Sequence, residues 1–191
     1  QNVVGNLALM GTYVTLSNLP GVIVMIVLPS FLHKMSERNL AFMGTVLCLG
    51  AQIVFCAAPN HNISILLGTA LARGIGFAFI MGLVNAMTGD TIEYGEWKTG
   101  VRVQGVLFSA KSVSEKLAQG ILTSAFGFFL TAIGYDGLAE VQAASAVTGI
   151  DTFFRFVPIG VYIVLIVILI FYRLDREFPS IQKELESRRA S

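Results

Sequence analysis

Apolar residues run in long blocks along this chain, and polar ones gather in short stretches between them. The apolar blocks cover residues 8–31, 40–58, 63–88, 103–133 and 153–172. Each holds about 20 residues or more, the length a helix needs to cross the hydrocarbon core of a bilayer. Asn18, Pro20 and Pro29 interrupt the first block, and Pro158 the fifth. Neighbouring helices can satisfy the backbone groups that proline frees, so kinked spanning helices are expected there. In the third block Gly68, Ala72 and Gly76 recur every four residues, a smooth face for close helix contact. Arg73 lies beside that face, about ten residues or roughly 15 Å from the helix start. It either snorkels to the near interface or pairs inside the bundle. After Pro179, Ile181 and Leu185 keep helical spacing among polar residues, which predicts a short surface helix.

Composition places the whole chain in the class those blocks suggest. Of 191 residues 54% are hydrophobic and 13% charged, and the mean hydropathy is +0.72. A soluble domain is about 45–50% apolar and about 25% charged. The expected fold class is therefore an all-α membrane protein. The net charge of +1, with no basic stripe interleaved with aromatics, gives no footprint for a nucleic-acid partner. Cys48 and Cys56 share one expected helix at about 12 Å, too far apart for a disulfide. No CxxC, HExxH or Cys/His cluster suggests a metal. No paired nucleophile and base supports an intramembrane enzyme, and Tyr94 and His33 stand in expected loops without catalytic partners. The chain opens on Gln1, with no initiating Met and no charged leader, and is expected to be a piece of a longer protein.

Charge then orients the blocks. The 33–39 loop carries Lys34 and Arg38, and the 89–104 connector carries Lys98 and Arg102. The tail carries Arg173, Arg176, Lys183, Arg188 and Arg189. The Pro59-Asn60-His61-Asn62 turn carries no Lys or Arg, nor does the 134–151 loop with Asp136, Glu140 and Asp151. The positive-inside rule puts the first group, and the C-terminus, in the cytoplasm. His61, Asp136 and residues 1–7 then face outside. The chain divides into a transmembrane bundle over 1–172 and a cytoplasmic tail over 173–191.

The fourth block carries candidate chemistry. With Ser109 as zero and about 100° per residue, Ser112, Lys116, Gln119, Gly120 and Thr123 fall within roughly 100° of arc. Lys111 and Glu115, one turn apart on the adjoining side, can pair. Lys116 is about 18 Å from the start of the block, too deep to reach either interface of a core about 30 Å thick. The bland alternatives are a structural Lys111–Glu115 pair, a bundle-stabilising contact for Lys116, and hydroxyls bonded back to their own helix. As a set, lined-up hydroxyls, an amide and an ammonium suit a wet cavity for a polyhydroxylated solute. Should Glu115 leave Lys111 partly charged, Lys111 can meet an anionic group.

The connector before it, Gly89 to Gln104, packs Asp90, Glu93, Glu96, Lys98 and Arg102 between two apolar blocks. It reads either as a solvated loop with surface pairs worth about 0–1 kcal/mol each, or as a charged latch. Its run Asp90-Thr91-Ile92-Glu93-Tyr94-Gly95-Glu96-Trp97-Lys98-Thr99-Gly100-Val101-Arg102 resembles the signature of the glycoside–pentoside–hexuronide:cation symporters, the melibiose permease family. In that family the signature joins the tenth and eleventh transmembrane helices. The resemblance extends over the whole chain, whose five blocks are similar to helices eight to twelve.

The resemblance implies the C-terminal half of a major facilitator fold, in a bacterial cytoplasmic membrane, coupling sugar entry to Na⁺, H⁺ or Li⁺ without covalent chemistry or a resident cofactor. It implies that Lys116 stands at the family's helix-eleven lysine, near the cation and sugar sites, with Ser112 one turn earlier. Lys111, Ser112, Glu115, Lys116 and Gln119 are then the expected substrate-binding residues, and Lys116 the cation-coupling one. Asp90, Glu93, Tyr94, Glu96, Lys98 and Arg102 form the expected cytoplasmic gate. The partners implied are a sugar or glycoside, the lipid bilayer and an N-terminal half that binds most of the coupling ion. The chain departs from melibiose permease at Lys111, where that protein has an amide, and at Glu115, where it has an aliphatic residue. That argues against a melibiose-like substrate. The competing readings are the same fold carrying a lipid or other amphiphile, and a membrane scaffold that transports nothing.

Overall fold

In a computed structural model the described residues are 7–58, 62–139 and 141–190. Residues 1–6, the Pro59-Asn60-His61 part of the expected turn, and Glu140 lie outside them, as do the side chains of Arg176 and Arg189. Six helices follow one another: α1 (Leu7–Leu32), α2 (Glu37–Ala57), α3 (Ile63–Thr99), α4 (Gln104–Ala132), α5 (Ala144–Phe171) and α6 (Leu174–Ala190). Four of them, α1, α2, α3 and α5, are long and apolar enough to cross a membrane. The expected fourth span, α4, has the length, with 29 residues, but Lys111, Glu115 and Lys116 set it apart from that group.

Three boundaries differ from the sequence expectation. The polar connector is not a loop: α3 continues unbroken to Thr99, 37 residues in all. At 1.5 Å per residue that is about 55 Å, well beyond a core of about 30 Å. Glu and Lys are good helix formers. Three hydroxyls in this stretch bond back to carbonyls four residues earlier, Thr88 to Val84, Thr91 to Met87 and Thr99 to Gly95, at 2.7–2.9 Å. The helix stops at Gly100, whose left-handed backbone (φ 73°) lets its N–H reach the Glu96 carbonyl at 2.8 Å. The 134–151 loop is shorter than expected because α5 starts at Ala144 rather than near Phe153, and Ala146 in its first turn is fully buried. The tail helix starts at Leu174, five residues before Pro179. Pro179 is the sixth residue of the helix, past the first turn, so it removes the N–H that would have bonded the Asp175 carbonyl and costs the helix that bond. Ile181 and Leu185 are buried, as their spacing required.

α3 is the centre of the packing. A Cβ at Gly76 would meet the Gly44 carbonyl oxygen of α2 at 2.5 Å, and one at Gly74 the Ser17 carbonyl oxygen of α1 at 2.4 Å. Of the expected Gly68-Ala72-Gly76 face, Gly76 makes a close contact while Gly68 faces open space, and Gly74 takes the second contact. Leu28, Leu40, Ala41, Leu83 and Leu169 close a core between α1, α2, α3 and α5. α5 is tied to α2 by the Gln52 amide, which donates to the Phe154 and Arg155 carbonyls at 2.8 and 3.0 Å. Cys48 and Cys56 are free thiols.

α4 is held at its ends only. Its start follows the tight 100–103 turn. Near its end Phe126 and Phe129 pack at a tilt against Phe153 of α5, with ring centroids at 5.2 and 4.7 Å. Beyond it the Ser145 hydroxyl donates to the Ile133 carbonyl at 3.1 Å. Between those anchors no residue of α4 is buried.

Candidate functional site

The middle of α4 carries the polar stripe that the spacing predicted. Ser112, Glu115, Lys116 and Gln119 are exposed, and Lys111 is half-buried. Lys111 Nζ meets Glu115 Oε1 at 2.5 Å, so the expected i, i+4 pair forms. Ser114, off the stripe, bonds back to the Ala110 carbonyl at 2.8 Å. Among the described residues Ser109, Ser112 and Thr123 make no such bond, and Lys116 has no ion pair. The stripe therefore presents hydroxyl, amide and ammonium groups that the described residues leave without partners, and paired Lys111 offers little net charge.

A second polar region lies at the other end of the 100–103 turn. Arg102 Nη1 reaches Glu96 Oε2 at 3.2 Å across the Gly100 cap. Asp90, Glu93 and Arg102 line a cleft of about 300 Å³ between the end of α3, the start of α4 and α6, with Phe108 and Phe178 as apolar walls. Tyr94 and Lys98 stand elsewhere on the helix: Lys98 Nζ is 5.8 Å from the Tyr94 ring centroid, and that ring is 5.9 Å from the indole of Trp97. The six expected gate residues thus divide into a cleft group (Asp90, Glu93, Arg102), its brace Glu96, and a separate Tyr94–Lys98 stack.

Sequence reasoning missed that the tail helix is built into this region. The Trp97 indole N–H donates to Glu184 Oε2 at 2.7 Å, and Arg188 donates to the Trp97 carbonyl at 3.1 Å and to Glu184 Oε1 at 2.6 Å. These two donors hold the exposed Glu184 carboxyl below its usual range. At the neighbouring corner the Arg38 N–H donates to Asp175 at 3.3 Å, and the Arg38 guanidinium to the Leu169 and Ile170 carbonyls at 2.6 and 3.0 Å. The Asp90 carboxyl approaches that of Glu37, with Asp175 beside them. Burial, with Asp90, Asp175 and Glu37 adding to it, pushes the Tyr172 phenol just after α5 up to about 12. The 33–36, 100–103 and 172–173 connections therefore meet at one end of the molecule. The signal was present in the sequence as polar residues around Ile181 and Leu185, but nothing in it named Trp97 as the partner.

The remaining polar cluster sits within the apolar helices. Arg73 of α3 bonds the Tyr13 hydroxyl of α1 and, at 2.7 Å, Gln52 Oε1 of α2. It therefore pairs inside the bundle, with neutral partners. Arg155 binds Asp151 at 2.8 Å and the Phe55 and Cys56 carbonyls. Among the described residues no group of three or more His, Cys, Asp or Glu could hold a metal ion.

Comparison with known proteins adds a family and relatives. The model of a family described as MFS/sugar transport protein matches residues 1–176. An isoprimeverose transporter of Lactiplantibacillus pentosus is 28% identical over 184 residues, which is 96% of this chain and 38% of that protein. A glucuronide carrier protein homolog of Escherichia coli (strain K12) is 30% identical over 189 residues, 98% of this chain and 41% of that protein. The chain thus spans about two fifths of the length of these relatives.

Proposed function

Because this chain belongs to the MFS/sugar transport protein family, we propose that it forms the C-terminal bundle of a secondary transporter. The transporter carries sugars or sugar-like solutes by alternating access in a bacterial cytoplasmic membrane. The single observation that carries this reading is the uncovered polar stripe of α4. A helix of 29 residues with no buried side chain, pinned at both ends and polar along one face, has the form of one wall of a wet cavity. The other wall would come from the rest of the full-length protein.

Within the family we place the protein among the glycoside–pentoside–hexuronide:cation symporters, on the Asp90–Arg102 signature. The relatives named for isoprimeverose and for glucuronides support a glycoside-type cargo. In this reading α1 to α5 are helices eight to twelve, and α4 spans despite its charges because they face the cavity. Lys116 balances a carboxylate of the other half and yields it to the coupling cation, so ion occupancy reshapes the sugar site. Asp90, Glu93, Glu96 and Arg102 form the cytoplasmic latch between rocking halves, braced by α6. Acids and a base facing one another at this end suit a network that breaks when the face opens.

Full-length protein in liposomes tests the reading. Uptake of a radiolabelled glycoside should saturate and should rise with an inward Na⁺, Li⁺ or H⁺ gradient. Absence of uptake for every glycoside under all three gradients would sink it. Exchange of lipid analogues in the same vesicles would instead favour an amphiphile carrier.

A further inference from the structure

Arg73 is a permanent positive charge about 15 Å along a helix that crosses the apolar layer. Its surroundings are neutral. One terminal nitrogen donates to Gln52 Oε1, the other to the Tyr13 hydroxyl, and the guanidinium carbon lies 5.1 and 5.6 Å from the ring centroids of Phe55 and Tyr13. Gln52 is fully buried, and its amide nitrogen is already tied to the Phe154 and Arg155 carbonyls, so its oxygen is fixed toward Arg73. This is a built cradle for a guanidinium, yet it supplies no counter-charge. Arg155, Arg102 and Lys111 each have a carboxylate. Among the described residues Arg73 has none.

The cradle also opens onto an accessible face. Arg73, Phe77, Met81 and Val84 fall within roughly 80° of arc on α3, at about 100° per residue. Phe77 and Met81 are 53% and 43% exposed although they lie in the most packed helix of the molecule. The close contacts of α3, Gly74 to α1 and Gly76 to α2, fall on either side of this stripe. Two of the five guanidinium N–H groups are used by Gln52 and Tyr13, which leaves donors for a ligand, and the planar fork matches an oxyanion.

We propose that Arg73 binds an anionic group, a carboxylate or a sulfonate, on the transported solute, and that the apolar stripe below it receives the non-polar face of the same molecule. This rests on the transport reading above and names its substrate class. It moves anion recognition from Lys111, which Glu115 neutralises, to a helix with no expected site residue on that stripe.

The test uses the full-length protein in liposomes with three probes: methyl β-D-glucoside, methyl β-D-glucuronide and the 6-sulfonate analogue of the glucoside. Wild type should prefer the two anions. Arg73→Gln should raise KM for the anions by roughly 10–100-fold, the loss of a charge-assisted hydrogen bond, and leave the glucoside nearly unchanged. Arg73→Lys should recover part of the anion affinity. If Arg73→Gln does not fold, two measurements replace it: the wild-type preference, and the anion-dependent rise in unfolding temperature compared between wild type and Arg73→Lys. Equal losses for all three probes would overturn the proposal and assign Arg73 to a carboxylate elsewhere in the full-length protein. Wild type that carries the glucoside and ignores both anions would overturn it and leave the transport reading standing. Wild type that carries none of the three sinks both.

Discussion

An alanine at Gly74 or Gly76 would push its methyl group to within 2.4–2.5 Å of a backbone oxygen on the neighbouring helix. Backbone cannot step aside as a flexible side chain can, so overpacking of about 1–3 kcal/mol is expected for each. Gly74→Ala and Gly76→Ala in the full-length protein should lower its unfolding temperature in detergent. Gly68→Ala, which meets open space, should not. Spacing alone named Gly68 as part of the contact face, because a period of four on a helix is compatible with several faces. Only the packing of α1 selects Gly74. Lys116 makes the opposite case: its place in the stripe was legible, since depth and periodicity both follow from the helix. Its partner was not, for the described residues contain none. In the proposed mechanism Lys116→Ala should abolish cation-driven accumulation while expression stays near wild type, and should flatten the dependence of sugar affinity on cation concentration. Uphill uptake with the cation dependence intact would make Lys116 a packing element.

At the scale of elements, polarity misled where helix propensity was the better guide. Residues 89–99 looked like a connector because they are charged, but a helix that leaves the membrane keeps its hydrogen bonds and needs only water for its side chains. The charged last turns of α3 are also what α6 grips. Trp97 reports on that grip, being the chain's one tryptophan, with its indole N–H held by Glu184. The Glu184 carboxyl is held below its usual range by this bond and by Arg188. A depressed folded-state pKa means the contact is present above the ordinary carboxylate range, about 4.3, and is lost as pH falls through the lower folded value. With any other tryptophans of the full-length protein changed to phenylalanine, Trp97 emission should stay flat from neutral pH down to that range and shift only below it. Glu184→Gln should remove the transition. A transition that persists in Glu184→Gln would assign it to another group.

For the molecule as a whole, three connections rich in Lys and Arg meet at one end, joined by the Arg38–Asp175 and Trp97–Glu184 contacts. Positive charge gathered at one end of a bundle is the pattern that faces the cytoplasm. In a background without reactive cysteines, Asp136→Cys should therefore label from outside intact cells with an impermeant thiol reagent, and Glu186→Cys only after lysis; the reverse would invert the orientation. The stripe of α4 then sets a requirement on the rest of the protein. If α4 spans as proposed, its hydroxyl, amide and ammonium groups cannot rest against lipid tails without a cost of several kcal/mol for each unsatisfied group, and among the described residues nothing covers them. In the proposed reading a complementary polar wall comes from a part of the protein beyond this chain, which spans about two fifths of the length of the relatives it matches. Residues 1–191 expressed alone should accordingly give liposomes without saturable glycoside uptake. Co-expression with the remainder of the full-length protein as a separate polypeptide should restore it, because the two halves of a rocking transporter meet through faces and not through the chain that joins them. Saturable uptake by residues 1–191 alone would show that the cavity closes within this chain, and would remove the reason for placing the second wall elsewhere.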